Sequence, residues 1–157
     1  MLWRETFKVR LWSFFKVPLL YYARPVVLEL EEARTVVSIR LRRRTKNHLG
    51  SMYFGALCVG ADVAGGLAAM RAIEESGGGM SLIFGAVNAE FLKRPEDDVV
   101  FTCLEGMQIR ELVALARSSG EREQMPVHVT ATVPTLLGDE PVAKFQLSLS
   151  LKQKGST

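Results

Sequence analysis

Apolar and polar positions recur with two different periods along the chain, and the changes of period mark its elements. Trp3, Phe7, Leu11, Phe14 or Phe15, and Leu19 follow helical spacing. They predict an amphipathic helix over residues 3–22, broken off by Pro18 and Pro25. Two strand-like runs follow, Val26–Glu31 and Thr35–Arg42. In the second, Val37, Ile39 and Leu41 alternate with Ser38, Arg40 and Arg42, as a strand with one wet face would. After a polar turn at Lys46–Gly50, spacings of three and four return at Met52, Ala56, Val59, Val63, Leu67, Met70 and Ile73. This segment, Ser51 to about Glu75, reads as a helix enclosed by a sheet. Its Gly55, Gly60, Gly65 and Gly66 are poor helix formers, but they let another element approach closely.

The glycine run after Ser76 stops that helix. Ser81–Phe91 and Val99–Glu105 then read as strands about the polar turn Lys93–Asp98, and Gln108–Ser118 as a short helix. Met125–Leu136 and Pro141–Lys152 read as a long hairpin turning at Gly138–Asp139. In the last strand Ala143, Phe145, Leu147, Leu149 and Leu151 share one face. The order predicts an α+β architecture, an antiparallel sheet curled around one central helix. Residues 1–25 form an N-terminal helical segment and 26–157 the main domain. A length of 157 residues is that of one domain.

Composition narrows the chemistry. The histidines are His48 and His128, the cysteines Cys58 and Cys103, and the aspartates Asp62, Asp97, Asp98 and Asp139. Sites built on several histidines, a disulfide scaffold and a four-ligand zinc site are excluded. Catalysis here would rest on carboxylates and backbone groups. Three of the aspartates fall in polar turns. Asp62 lies inside the apolar helix, where a carboxylate is costly unless paired, hydrogen-bonded or neutralised. A backbone-bonded or interface Asp weighs equally with a functional one on these grounds. Cys58, one turn earlier, reads as a small core residue, and Glu90 as a strand residue that faces solvent or pairs with a basic residue.

Charge is uneven. Residues 1–46 carry 11 Lys and Arg against 4 Glu, and residues 47–157 carry 9 against 13 acidic residues. The excess concentrates at Arg40, Arg42, Arg43, Arg44 and Lys46. A solvated strand end is the first reading; contact with the phosphates of a nucleotide, nucleic acid or anionic lipid is the second. Nucleic acid stands last, because the cluster has no interleaved aromatics for stacking. Similarly, the aromatic stripe of residues 3–19 is expected to dock on the core, with a membrane surface or an acyl tunnel as its other uses. Charges interrupt the N-terminal segment, so it does not read as a targeting signal. No convincing integral membrane segment is present, and the cytoplasm is the expected location.

The run NHLGSMYFGALCVGAD, Asn47 to Asp62, resembles the motif N-x-x-G-x-x-H-G-G-x-x-x-x-x-x-D of hotdog-fold acyl-CoA thioesterases. Glu90-Phe91-Leu92-Lys93-Arg94-Pro95 is similar to a strand end of the same family. The chain most resembles a bacterial hotdog subgroup of unknown function, related to the phenylacetyl-CoA thioesterase type. The resemblance implies a hotdog fold and a homodimer or dimer of dimers with its site at the interface. It also implies an acyl-CoA substrate and no cofactor beyond the coenzyme A moiety of that substrate. Asp62 would be the general base or nucleophile, and Asn47 would orient the water or thioester. Phe54 and Gly55 would offer backbone N–H groups to the carbonyl, with Tyr53 and His48 beside the substrate. Tyr53-Phe54 stands where the pattern has His-Gly. That departure keeps open a hotdog protein that binds acyl-CoA or another lipid-like ligand without turnover. A His-based dehydratase site has no counterpart.

Phe54 and Asp62 are eight residues apart, about 12 Å along a helix at 1.5 Å per residue. One carbonyl cannot sit against both on one helix. Two helices related by a two-fold axis could supply one each.

Overall fold

The computed structural model describes residues 1–154; the last three residues of the predicted main domain, 155–157, lie outside the described residues. The N-terminal segment forms two helices, α1 (Trp3–Lys16) and α2 (Pro18–Ala23), where one was expected. Val17 precedes Pro18 and is pushed out of helical geometry, to φ −141° and ψ 79°. The helix α2 stops at Arg24, which takes a left-handed φ of 54° just before Pro25.

Strands β1 (Val26–Leu30) and β2 (Thr35–Ile39) lead to the long helix α3 (Phe54–Glu75). Strands β3 (Met80–Phe91) and β4 (Val99–Cys103), helix α4 (Gly106–Ser119), strand β5 (Glu123–Thr132), the short helix α5 (Pro134–Leu137) and strand β6 (Pro141–Gln153) complete the chain. One six-stranded sheet results, in the order β1-β2-β4-β5-β6-β3, antiparallel throughout.

Strands β1 and β4 end one and two residues earlier than expected, and β2 and β5 three and four earlier, the last two each for a local reason. The strand β2 stops at Ile39 because side chains claim the next backbone groups. Asp98 accepts the Leu41 N–H at 2.8 Å, and the Thr45 hydroxyl accepts from Arg42 N–H at 2.9 Å. The strand β5 stops at Thr132 because Pro134 begins a helical turn, where its missing N–H costs nothing. The hairpin expected at Gly138–Asp139 therefore closes through α5, with Gly138 at a φ of 57°. Likewise α3 begins at Phe54 and not at Ser51, because Met52 and Tyr53 donate to Pro95 O and Thr45 O, each at 2.8 Å.

Helix α3 is apolar on nearly all sides and lies in the curl of the sheet, with α4 alongside. It is long and apolar enough to cross a membrane, yet most of it is buried inside the protein. The close approach needs glycine at Gly60, where a Cβ would overlap the ring of the fully buried Phe101. The inner faces of β5 and β6, with Val127, Val129, Phe145, Leu147 and Leu149, complete the core.

The two edges of the sheet differ. Val27 on edge strand β1 is closed off by α1: it donates to Thr6 Oγ1 at 3.0 Å and accepts from Leu2 N–H at 2.8 Å. Among the described residues the twelve-residue β3 pairs only with β6 and leaves its other edge open, with Ile83, Val87 and Phe91 exposed.

The aromatic stripe does not dock on the core, contrary to expectation. Trp3 is 75% exposed, Phe7 66% and Phe15 71%, and Leu11, Phe14 and Leu19 also face outward. The residues of α1 turned inward are Thr6 and Ser13. The polar side was needed against the protein because β1 presents a bare backbone edge there, which Thr6 satisfies.

Candidate functional site

Asp62 lies two turns into α3, on the side facing α1. Its cleft, about 770 Å³, runs between α1, α2, α3 and the start of β3. Val9, Trp12, Leu20, Val63, Leu67 and Leu82 supply an apolar lining; Glu5, Lys8, Arg71 and Glu75 stand among the remaining lining residues. These charges pair with one another: Lys8 Nζ lies 3.0 Å from Glu5, and Arg71 Nε 2.8 Å from Glu75. Among the described residues, nothing hydrogen-bonds or pairs with the Asp62 carboxylate. Burial pushes its pKa up from 3.8, and no neighbouring cation opposes the shift. The result is a half-buried carboxylate with a weakened hold on its charge, facing an apolar cleft, which is what a general base needs.

The N-terminus of α3 lies elsewhere. Tyr53 is the N-cap and Phe54 the first helical residue. The N–H groups of Phe54 and Gly55 donate to no acceptor among the described residues, as expected of a first helical turn. They are available to an anionic oxygen. Around them Tyr53, Phe54, Phe91 and Phe145 form an aromatic row, with centroids 4.6, 6.2 and 6.0 Å apart in sequence. The first three are exposed. None of Tyr53, Phe54 and Gly55 lines the Asp62 cleft, so one protomer does not bring these amides and the Asp62 carboxylate together.

Asn47 and His48 sit in the loop that sets this helix start. Asn47 Oδ1 accepts from Leu49 N–H at 2.9 Å and Ser51 N–H at 3.2 Å, while its Nδ2 donates to Ser51 Oγ at 3.0 Å. Its side chain is thus spent on the turn, and Gly50 there has a φ of 82°. His48 is exposed and outside the cleft. The strand end Glu90–Pro95 meets the same helix start: Pro95 O accepts the Met52 N–H.

Other reactive side chains are less well placed. Burial raises the Cys58 thiol above 9.0, which disfavours the thiolate. His128 pairs with Glu105 at 2.7 Å and lines neither main cleft. Asp97 holds Thr135 and Asp98 holds Leu41. Among the described residues, no group of three or more His, Cys, Asp or Glu is arranged to hold a metal ion.

A family model described as "Domain of unknown function (DUF4442)" matches residues 6–148. The chain belongs to this family. No curated protein sequence matches it. Solved structures do. A Pseudomonas aeruginosa protein described as a probable thioesterase is 21% identical, with a TM-score of 0.76 over 94% of this chain and 95% of that one. A Chlorobaculum tepidum protein of unknown function gives 0.82 at 10% identity, covering 96% and 94%. A thioesterase from Haemophilus influenzae gives 0.65 at 13% identity, covering 90% and 87%. At these identities the likeness establishes the fold: this DUF4442 chain is an α+β hotdog protein, as the motif implied.

In this DUF4442 protein the roof of the cleft has no signal in the sequence pattern. Val9 and Trp12 come from the side of α1 turned away from the aromatic stripe, Lys8 from beside its Phe15 edge, and Arg71 from beyond Asp62 on α3. Val9 and Trp12 were legible only as interruptions of the stripe that drew attention first.

Proposed function

We propose that this chain is an acyl-CoA thioesterase whose site forms between two copies of itself. The observation that carries the reading is the Asp62 carboxylate, unpaired and half-buried in an apolar cleft large enough for an acyl group. Open edge β3 supports the dimer. Its Leu82 end borders the Asp62 cleft, and its Phe91 end touches Phe54. Two β3 strands pairing antiparallel about a two-fold axis swap these ends, so Phe54 of the partner subunit arrives beside this protomer's Asp62 cleft. Pairing also satisfies the bare edge and buries Ile83, Val87 and Phe91.

In that arrangement the first-turn amides of the partner's Phe54 and Gly55 hold the thioester carbonyl oxygen. Charge developing on it is stabilised by donors already oriented at a helix N-terminus. Asp62 takes a proton from water as the hydroxyl adds to the carbonyl carbon. The tetrahedral adduct then expels the thiolate, which recovers that proton, leaving free acid and coenzyme A. Direct attack by Asp62 gives an enzyme-bound anhydride and the same products after hydrolysis. Neither route needs a resident cofactor, since coenzyme A enters with the substrate.

Thiol release from a panel of acyl-CoAs tests the proposal. Asp62→Asn should lower kcat by about 10² or more; full activity in that variant ends it. Binding without turnover is the second reading, favoured by the engagement of Asn47 in its own turn. Saturable acyl-CoA binding with no thiol release across the panel would establish it instead.

A further inference from the structure

The outward face of α1 is not merely uncovered; its residues are ordered by chemistry around the helix. At 100° per residue, Trp3, Phe14, Phe7, Leu11 and Phe15 span an arc of about 120°. Thr6 and Ser13 point the opposite way, into the protein. All five arc residues are exposed, and Tyr22 and Leu19 of α2 continue the apolar surface. Phe14 packs edge-on against both Phe15 and Tyr21, at 5.0 and 5.1 Å, which holds the aromatic surface in shape.

Beside Trp3, at the border of the arc, lies Arg10. It belongs to a cleft of about 910 Å³ lined also by Arg24, Arg40, Arg42, Arg43 and Arg44. Among the described residues none of these six has a carboxylate within 4 Å. Their contacts are with backbone and rings: Arg10 Nε donates to Pro25 O at 3.2 Å, and Arg44 stands 5.5 Å over the Tyr22 ring. Arg42 acts weakly on Asp97, whose carboxylate is held by Thr135. Arg10 is destabilised in its charged form by burial first, then by Arg24 and Arg40. Six crowded cations, none of them in an ion pair among the described residues, are what an anionic surface would relieve. This cleft shares no lining residue with that of Asp62, so it is separate from the proposed site.

We propose that the α1 aromatic face and the adjoining arginine cleft together dock the protein on an anionic lipid bilayer, the rings entering the interface and the arginines taking headgroup phosphates. Charge complementarity selects this occupant. A second copy of the chain would bring one arginine cleft toward another, whereas a bilayer supplies both an apolar interior and dense negative charge. Aromatic rings over a guanidinium rim suit the depth at which such a helix lies. The proposal is independent of thioester hydrolysis.

Co-sedimentation of the full chain with vesicles tests it, using phosphatidylcholine alone and an equimolar mixture with phosphatidylglycerol. The protein should sediment with the anionic vesicles at low salt and be released as salt rises. Trp3→Ser with Phe7→Ser and Phe15→Ser should abolish sedimentation. Arg42→Gln with Arg43→Gln should lower partitioning on anionic vesicles by roughly tenfold or more. All five positions are exposed, so circular dichroism and thermal melting should match the parent. No sedimentation of the parent with anionic vesicles at low salt overturns the proposal. So does equal sedimentation of parent and both variants. Sedimentation velocity gives a third overturning result: the aromatic variant loses a self-association that the parent shows, while the parent ignores vesicles.

Discussion

At the residue scale, the proposed role of Asp62 sets function against stability. Its folded pKa is raised by burial, so the native state binds more protons than the unfolded chain between 3.8 and the folded value. Stability therefore falls as pH rises through that window, and at neutral pH the buried carboxyl is a net cost to the fold. Asp62→Asn removes that cost. The variant should melt above the parent at pH 7, with the difference narrowing as pH falls toward 3.8; calorimetry across pH reads it. A gain in stability with loss of turnover is the expected signature of a catalytic carboxylate. Gly60 is constrained by volume alone. Gly60→Ala sets a methyl on the buried Phe101 ring and should cost about 1–3 kcal/mol in denaturant unfolding.

Among the elements, α1 does two jobs with two faces, and its attachment is polar. Thr6 is 2% exposed and accepts the Val27 N–H. Thr6→Ala leaves that donor buried and unpaired, at a cost of about 1–3 kcal/mol. Hydrogen exchange at Val27 should quicken, and α1 should loosen over the Asp62 cleft before the sheet unfolds. At the other end of α3, Phe54 occupies the first helical position, where proline is well tolerated. Tyr53 already has the extended geometry that a following proline demands, φ −65° and ψ 138°. Phe54→Pro thus deletes one amide donor and keeps the helix.

That substitution makes the whole-molecule proposal testable. If Asp62 and the Phe54 amide act from different protomers, Asp62→Asn and Phe54→Pro are each inactive alone. Mixed after dissociation and reassociation, half the dimers are hybrids with one intact site, so activity should return to about one quarter of the parent's. No recovery in the mixture means that both groups serve one protomer, and the two-fold model fails.

Much of the fold was written in local pattern. The alternation of Ala143 to Leu151, the spacing from Met52 to Ile73 and the glycines between them specify a sheet curled on a central helix. The motif from Asn47 to Asp62 marked the candidate carboxylate for the same reason: the one charge between Ser51 and Met70 stands out in an apolar stretch. Periodicity reports which residues of an element are alike, and here that misled. The stripe Trp3–Phe15 is apolar, but β1 needed hydrogen bonds more than the core needed another apolar face, so Thr6 turned inward. Which side of α1 meets the protein is a competition between burial of rings and satisfaction of a bare strand edge, and only the assembled sheet presents that edge. The same holds for the arginines. Arg40 to Arg44 are a run in sequence, but Arg10 and Arg24 join them across the fold to make a cleft. Sequence determined the strands, the central helix and the one carboxylate within its apolar stretch, Asp62. Tertiary structure decided which faces look outward, because that choice depends on partners far away along the chain.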